Sequence, residues 1–306
     1  MDHWQKSFEQ KLDRAYARGG PAQVEALLLH TEKHLQQAGA NPCQLALVCN
    51  ELGRLYREGG CYQKSLTAFE RAGALEEGQL EASERATLLN NMAGTYRLMG
   101  NHRRAEELFL KAAALYEMEG LTESLEYASV LCNLSLVYQS IGQLEEATRC
   151  LKWAVELMEK LPQCGQELAV AYNNLTVLYY GLGNEREAMQ CISRAIREYE
   201  KLPAEEQMWW GTVLNSLAGL LYGEGEYVRA LELYRRSARC IRRFFGENEE
   251  YGYTCQNMRW VYEKLGDREG VVWALRQAEK AYRKVYGPKH IRTRTVVDDL
   301  ARAEQK

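Results

Sequence analysis

Residues 52–72 read LGRLYREGGCYQKSLTAFERA. Small and bulky residues fall at Gly53 and Tyr56, a glycine follows at Gly60, and then Ser65, Phe69 and Ala72 stand four and three apart. Steps of three and four place side chains on one face of an α-helix. A glycine between two such stretches marks the end of a first helix and the turn into a second.

The pattern recurs. Gly60, Gly100, Gly142, Gly183, Gly225 and Gly266 are separated by 40, 42, 41, 42 and 41 residues. Four residues before each stand Tyr56, Tyr96, Tyr138, Tyr179, Leu221 and Tyr262, and three further back stand Gly53, Ala93, Ser135, Thr176, Ala218 and Arg259. After the turn the same order returns at Ala105, Phe109 and Ala112, at Ala147, Leu151 and Ala154, at Ala188, Ile192 and Ala195, at Ala230, Tyr234 and Ser237, and at Val271, Leu275 and Ala278. Small residues let two antiparallel helices approach and bulky ones fill the space between them. Each helix pair then buries its remaining apolar face by stacking on the next pair.

Leu52-Gly53-x-x-Tyr56 followed by Ser65-x-x-x-Phe69 resembles the tetratricopeptide pattern over nearly the whole chain. The period exceeds the usual length of about 34 residues. Glu77, Glu117, Glu159, Glu200, Arg242 and Arg283 stand where that pattern closes on proline, so the second helix is expected to run on. Together with Tyr172-Asn173-Asn174-Leu175, Phe245-Gly246-Glu247-Asn248 and Tyr286-Gly287-Pro288-Lys289-His290, this resembles the long repeats of the kinesin light chain type. The resemblance implies an all-α, right-handed superhelical solenoid of antiparallel helix pairs. Residues 43–287 are expected to form six repeats of about 41 residues, following the glycine period. Residues 1–42 read as a degenerate N-terminal capping helix pair with Gly20 in the turn. Residues 288–306 read as a C-terminal capping helix opened by Pro288. The array is one continuous domain in this reading. Arg259 and Val271 break the small-residue rule, so looser packing is expected in the sixth repeat.

With each tyrosine position numbered eleven, positions four, seven, eight and eleven form the core stripe, and positions two, six, nine and thirteen lie opposite. The resemblance implies that this second stripe lines a concave groove where peptides lie. In repeats two to five it contains Thr87, Asn91, Gly94 and Leu98; Ser129, Asn133, Leu136 and Ser140; Val170, Asn174, Val177 and Gly181; and Thr212, Ser216, Gly219 and Gly223. None is charged in a chain that is 26% charged, which points to an interaction surface. Asn91, Asn133, Asn174 and Asn257 share position six. An amide both donates and accepts, so such a ladder can hold the backbone of an extended peptide, or it can join neighbouring helices. Arg54, Arg57 and Arg97 flank the face early in the chain, Tyr180 and Tyr222 flank it later, and Trp209 continues the stripe into repeat five. Arginine forks suit carboxylates, and tyrosines offer rigid contact area.

Composition narrows the function. A net charge of -3 and five prolines describe a helix-rich chain with no overall field for nucleic acid or anionic lipid. Arg235, Arg236, Arg239, Arg242 and Arg243 cluster in repeat five, but acidic residues follow at once, which argues against a nucleic-acid partner and for a solvated face. No apolar run is long enough to cross a membrane. Nine cysteines stand singly with no C-x-x-C pair, as expected of buried thiols in the reducing cytoplasm. His30-Thr31-Glu32-Lys33-His34 is not the zinc-protease motif, and no phosphate-binding loop or nucleophile elbow occurs, so neither catalytic residue, cofactor nor metal is assigned. The expected role is a cytoplasmic, non-enzymatic scaffold or adaptor for a protein or peptide segment. An intracellular receptor for a short signalling peptide and a partner-binding subunit of an enzyme complex are the alternatives.

Overall fold

The computed structural model describes residues 3–75, 81–162, 164–203 and 210–305. Every regular element among them is an α-helix. The chain divides into two compact units at residues 157 and 158. The N-terminal unit holds α1 (His3–Ala38), α2 (Pro42–Glu58), α3 (Tyr62–Leu75), α4 (Ala82–Leu98), α5 (His102–Met118), α6 (Leu125–Ser140) and α7 (Leu144–Met158). The C-terminal unit holds α8 (Gly165–Gly181), α9 (Glu185–Lys201), α10 (Trp210–Gly223), α11 (Tyr227–Phe245), α12 (Glu249–Leu265), α13 (Arg268–Tyr286) and α14 (Ile291–Gln305).

The six periodic glycines adopt φ between 72° and 83°, or 71° at Gly266, the left-handed region that only glycine enters without strain. In the first turn Gly60 N–H donates to the Arg57 carbonyl at 3.1 Å, and Cys61 N–H donates to the Tyr56 carbonyl at 2.8 Å. The same two bonds recur at Gly100, Gly142, Gly183, Gly225 and Gly266. This double bond closes a helix with a left-handed residue and fixes the four-residue step from tyrosine to glycine. The next helix starts at once, with Asn101 and Asp267 accepting backbone N–H bonds from Arg104 and Gly270.

Small residues set the approach of each pair. A Cβ on Gly53 would stand 2.5 Å from the Phe69 ring, so only hydrogen fits there. Ala93, Ala105, Ala147, Ala188, Ala218 and Ala230 are fully buried. In the sixth repeat the close approach moves to Gly270, where a Cβ would lie 2.3 Å from the Tyr262 ring. Arg259 sits half-buried over the Trp260 ring at 3.8 Å and pairs with Glu263 at 2.9 Å and with Asp299 of α14 at 3.8 Å. The place of a small residue is thus taken by an ion-paired guanidinium, and a cavity of about 450 Å³ lies beside it.

The N-terminal segment departs from the expected pair. Residues 3–38 form one helix that runs through Gly20 and Pro21, and the left-handed glycine is Gly39, at φ 60°. Gly20 permits a turn without requiring one, and the helix continues through Pro21 although proline removes one N–H from the ladder and crowds the carbonyl four residues back. Phe8, Leu12, Val24, Leu28 and Leu35 of this helix pack on Leu45, Val48, Leu52 and Leu55 of α2. At the other end, α14 begins at Ile291, after Pro288, and buries Val296 against the α12–α13 core. Glu117, Glu200, Arg242 and Arg283 continue their helices, Glu159 falls just past the end of α7, and Glu77 lies outside the described residues.

Candidate functional site

The register separates two faces of α6 and α8, and less cleanly of α4, where Leu89 and Met92 of the core stripe are half-buried and Gly94 of the other stripe is buried. On α6 the core stripe residues Leu131, Leu134 and Ser135 are buried, whereas Ser129, Asn133 and Leu136 are half-buried and Ser140 is exposed. The uncharged stripe is therefore partly open to solvent, and apolar side chains remain on it: Leu98 is 45% exposed and Val177 44%.

In the N-terminal unit, Asn91 Nδ2 donates to Asn50 Oδ1 at 3.0 Å, and Asn133 Nδ2 donates to Asn90 Oδ1 at 3.1 Å. Each bond runs from position six to position five of the preceding repeat, and each donor keeps an amide oxygen and a second N–H. Asn50 also lines a cavity of about 160 Å³ with Ala46, Leu47, Thr87 and Leu88. Arg57 is half-buried, with its Nη1 donating to the Asn91 carbonyl at 3.4 Å, and Gly94 leaves the room it occupies. Burial, and then repulsion from Arg54, lowers its pKa. Burial lowers that of Arg97 as well, and Arg97 Nε is buried without a hydrogen bond. Arg54 is exposed and pairs with Glu51 at 3.0 Å. Neither Arg57 nor Arg97 meets a carboxylate within ion-pair distance among the described residues, and Glu58 and Glu51 act on Arg57 only from further away.

In the C-terminal unit, Asn257 Nδ2 donates to Asn215 Oδ1 at 3.4 Å, repeating the same rung. In the sequence, the position that holds Asn50, Asn90 and Asn215 in other repeats is Cys132 in the repeat before Asn174, and a cysteine has no amide oxygen to accept the same bond. Ser216 stands where a donor amide would serve Asn173, whose buried Oδ1 is left unpaired. Three of the four position-six asparagines therefore join helices, which was one of the two roles the sequence allowed. Tyr180 is 44% exposed and its hydroxyl fills the space left by Gly223, where a Cβ would come within 2.5 Å. Tyr222 is half-buried with its ring 5.5 Å from that of Tyr227. Trp209 lies outside the described residues, while Trp210 packs on Tyr199 at 5.7 Å, as its core register requires. Extending the register into repeat six adds Tyr253 and Trp260 at positions two and nine, 53% and 49% exposed.

The thiols are less uniformly buried than expected. Cys49, Cys164, Cys191 and Cys255 are buried, Cys61 is exposed, and the rest are intermediate. Burial pushes Cys132 and Cys255 up to about 12, which makes them poor nucleophiles. His30 and His34 are exposed, and no cluster of three or more metal-ligating side chains occurs among the described residues. No helix among them is long and apolar enough to cross a membrane.

Family models of the tetratricopeptide repeat match residues 84–160, and again residues 168–202 and 210–248. The chain is a tetratricopeptide-repeat protein, and this repeat makes it a protein-binding scaffold. None of the curated proteins compared with it matches. Among solved structures it is similar to the apo form of RapI, with a TM-score of 0.70 at 17% identity, covering 91% of this chain and 97% of that one. A Rap protein complexed with Competence and Sporulation Factor gives 0.67 at 15%, covering 98% and 84%. Kinesin light chain repeats from Podosopora anserina give 0.53 at 21%, covering 66% and 97%. These likenesses establish the shared fold.

Proposed function

We propose that the chain is a non-enzymatic cytoplasmic adaptor that holds a protein or peptide segment on the uncharged face of its first helices. The observation that carries this reading is the Arg57–Arg97 site, two partly buried guanidiniums with no carboxylate at ion-pair distance among the described residues, at the edge of a half-exposed, charge-free stripe. A partly desolvated cation is stabilised by an arriving carboxylate more than an exposed one would be. The N-terminal unit thus receives an acidic part of the partner, with Asn91 and Asn133 offering their remaining amide groups to its backbone. In the C-terminal unit Asn174 is the amide free for a ligand, and Tyr180, Tyr222, Tyr253 and Trp260 give apolar contact area with polar tips. The solved Rap complex with Competence and Sporulation Factor, a bound peptide, supports a peptide as the ligand to try first. Nine cysteines without a disulfide fit a reducing compartment.

The test is capture of the partner from source lysate, mapping of the bound segment with synthetic peptides, and titration of that peptide against Arg57→Gln/Arg97→Gln. Loss of two charge-assisted bonds should weaken binding by about tenfold or more. An unchanged dissociation constant would remove the arginine site from the reading.

A further inference from the structure

We infer that the outer face of α11 and α13 is a second docking surface, and that its partner is an acidic protein segment with carboxylates about a helical turn apart. α11 carries six arginines against one glutamate, Glu232. α13 carries five basic residues against Glu269 and Glu279; Arg276 pairs with Glu304, Lys280 with Glu247 and Arg283 with Glu279, so α13 adds Lys284 to the ridge and α11 carries most of it. The repeat register aligns them: counted from Ala230 and from Val271, which hold the same repeat position, Arg239 matches Lys280 and Arg243 matches Lys284.

The helix dipole does not account for this. Arg242 and Arg243 lie in the last turn, where cations are favoured, but Arg235, Arg236 and Arg239 lie further back, beyond the reach of that effect. Arg235 is taken by the Tyr262 hydroxyl at 3.0 Å. Arg236, Arg239 and Arg243 are exposed and have no carboxylate within ion-pair distance among the described residues.

The chain's own Glu247 shows what the surface selects. Its carboxylate sits between Arg242 at 3.6 Å and Lys280 at 3.0 Å, and these two, with Lys284, hold it below the usual carboxylate range, Lys280 foremost. Arginine forks take carboxylates in pairs of bonds, so Arg236, Arg239 and Arg243, which meet no carboxylate among the described residues, offer the same chemistry to a second protein. From Arg236 to Arg243 the ridge is about 10 Å long, and neighbouring helices lie about 10 Å apart. That area suits a few carboxylates. The net charge of -3 supplies none of the wider positive field on which binding to a polyphosphate backbone relies.

The experiment is fluorescence anisotropy with a labelled glutamate-rich peptide of about ten residues, at roughly 50 mM and again at roughly 300 mM salt, since screening weakens exposed charge contacts. Binding is expected at low salt in a background that already carries Arg57→Gln/Arg97→Gln, so that the first-helix site, which also takes carboxylates, does not contribute, and it should be weakened about tenfold when Arg236→Glu/Arg239→Glu/Arg243→Glu is added. Circular dichroism melts of both variants confirm that they are folded, and Arg236→Gln/Arg239→Gln serves if the reversal unfolds. Absence of binding, or binding indifferent to the α11 changes, would overturn the inference. So would tighter binding of a single-stranded oligonucleotide or of anionic vesicles through the same arginines. Sensitivity to the Arg57 and Arg97 changes alone would assign the peptide to the first-helix face and refute the second surface.

Discussion

At Asn133 the side-chain amide serves the fold before it serves any ligand, because its Nδ2 is already committed to Asn90 Oδ1 at 3.1 Å. Truncating it leaves a half-buried acceptor unpaired, which costs roughly 1–3 kcal/mol, whereas removing both partners together costs less than the sum of the two changes. In denaturant melts, Asn90→Ala, Asn133→Ala and the double variant should give a coupling energy of about 0.5–1.5 kcal/mol. Zero coupling would mean that the rung contributes nothing. Asn174→Ala, which breaks no such bond, should stay within about 0.5 kcal/mol of the parent. Asparagine at position six of four repeats was legible in the sequence, as was the choice between ligand and helix partner. The partner residue at position five was not legible, because register assigns a face to each helix but not the offset between adjacent helices. Tyr253 and Trp260 were within reach of the same register and needed only its extension to repeat six.

Each helix pair is defined by where it turns and how closely it packs, and both were written in small residues. The left-handed glycine needs a residue without Cβ, and its double hydrogen bond reaches back to the tyrosine carbonyl. Ala147 is fully buried where a second helix meets its first. Ala147→Leu adds three carbons to a site with no space for them and should lower stability by roughly 1–3 kcal/mol in urea unfolding. A change within error of zero would place the α6–α7 contact elsewhere. The register misled only where the rule itself weakens. Gly20 has the spacing of a turn, yet the chain stays helical through it because the apolar residues on both sides find cover on α2 without reversing direction. Val271 likewise hides the fact that its neighbour Gly270 makes the contact.

Across the whole molecule, buried tyrosines couple stability to alkaline pH. Burial raises Tyr56, Tyr138, Tyr172, Tyr251, Tyr282 and Tyr286 from 10.0 to about 12, with a hydrogen bond to Glu25 adding to the rise at Tyr56 and one to Glu159 at Tyr172. Because the folded state holds these protons more tightly, their contribution is complete below pH 10 and declines as pH rises from 10 towards 12. The melting temperature should therefore hold steady up to about pH 9 and fall above about pH 10, with tyrosinate absorbance rising together with loss of helical dichroism. A melting temperature that does not fall between pH 10 and pH 12 would contradict the assigned burial. The repeat, its period, its helix boundaries at the turns and the uncharged stripe follow from the sequence alone, because they depend on contacts within about forty residues that recur six times. Which asparagines are occupied, which arginines lack a carboxylate and where an exposed aromatic remains were decided by tertiary structure. Those properties depend on the offset between neighbouring helices, which local periodicity leaves free and side-chain packing fixes.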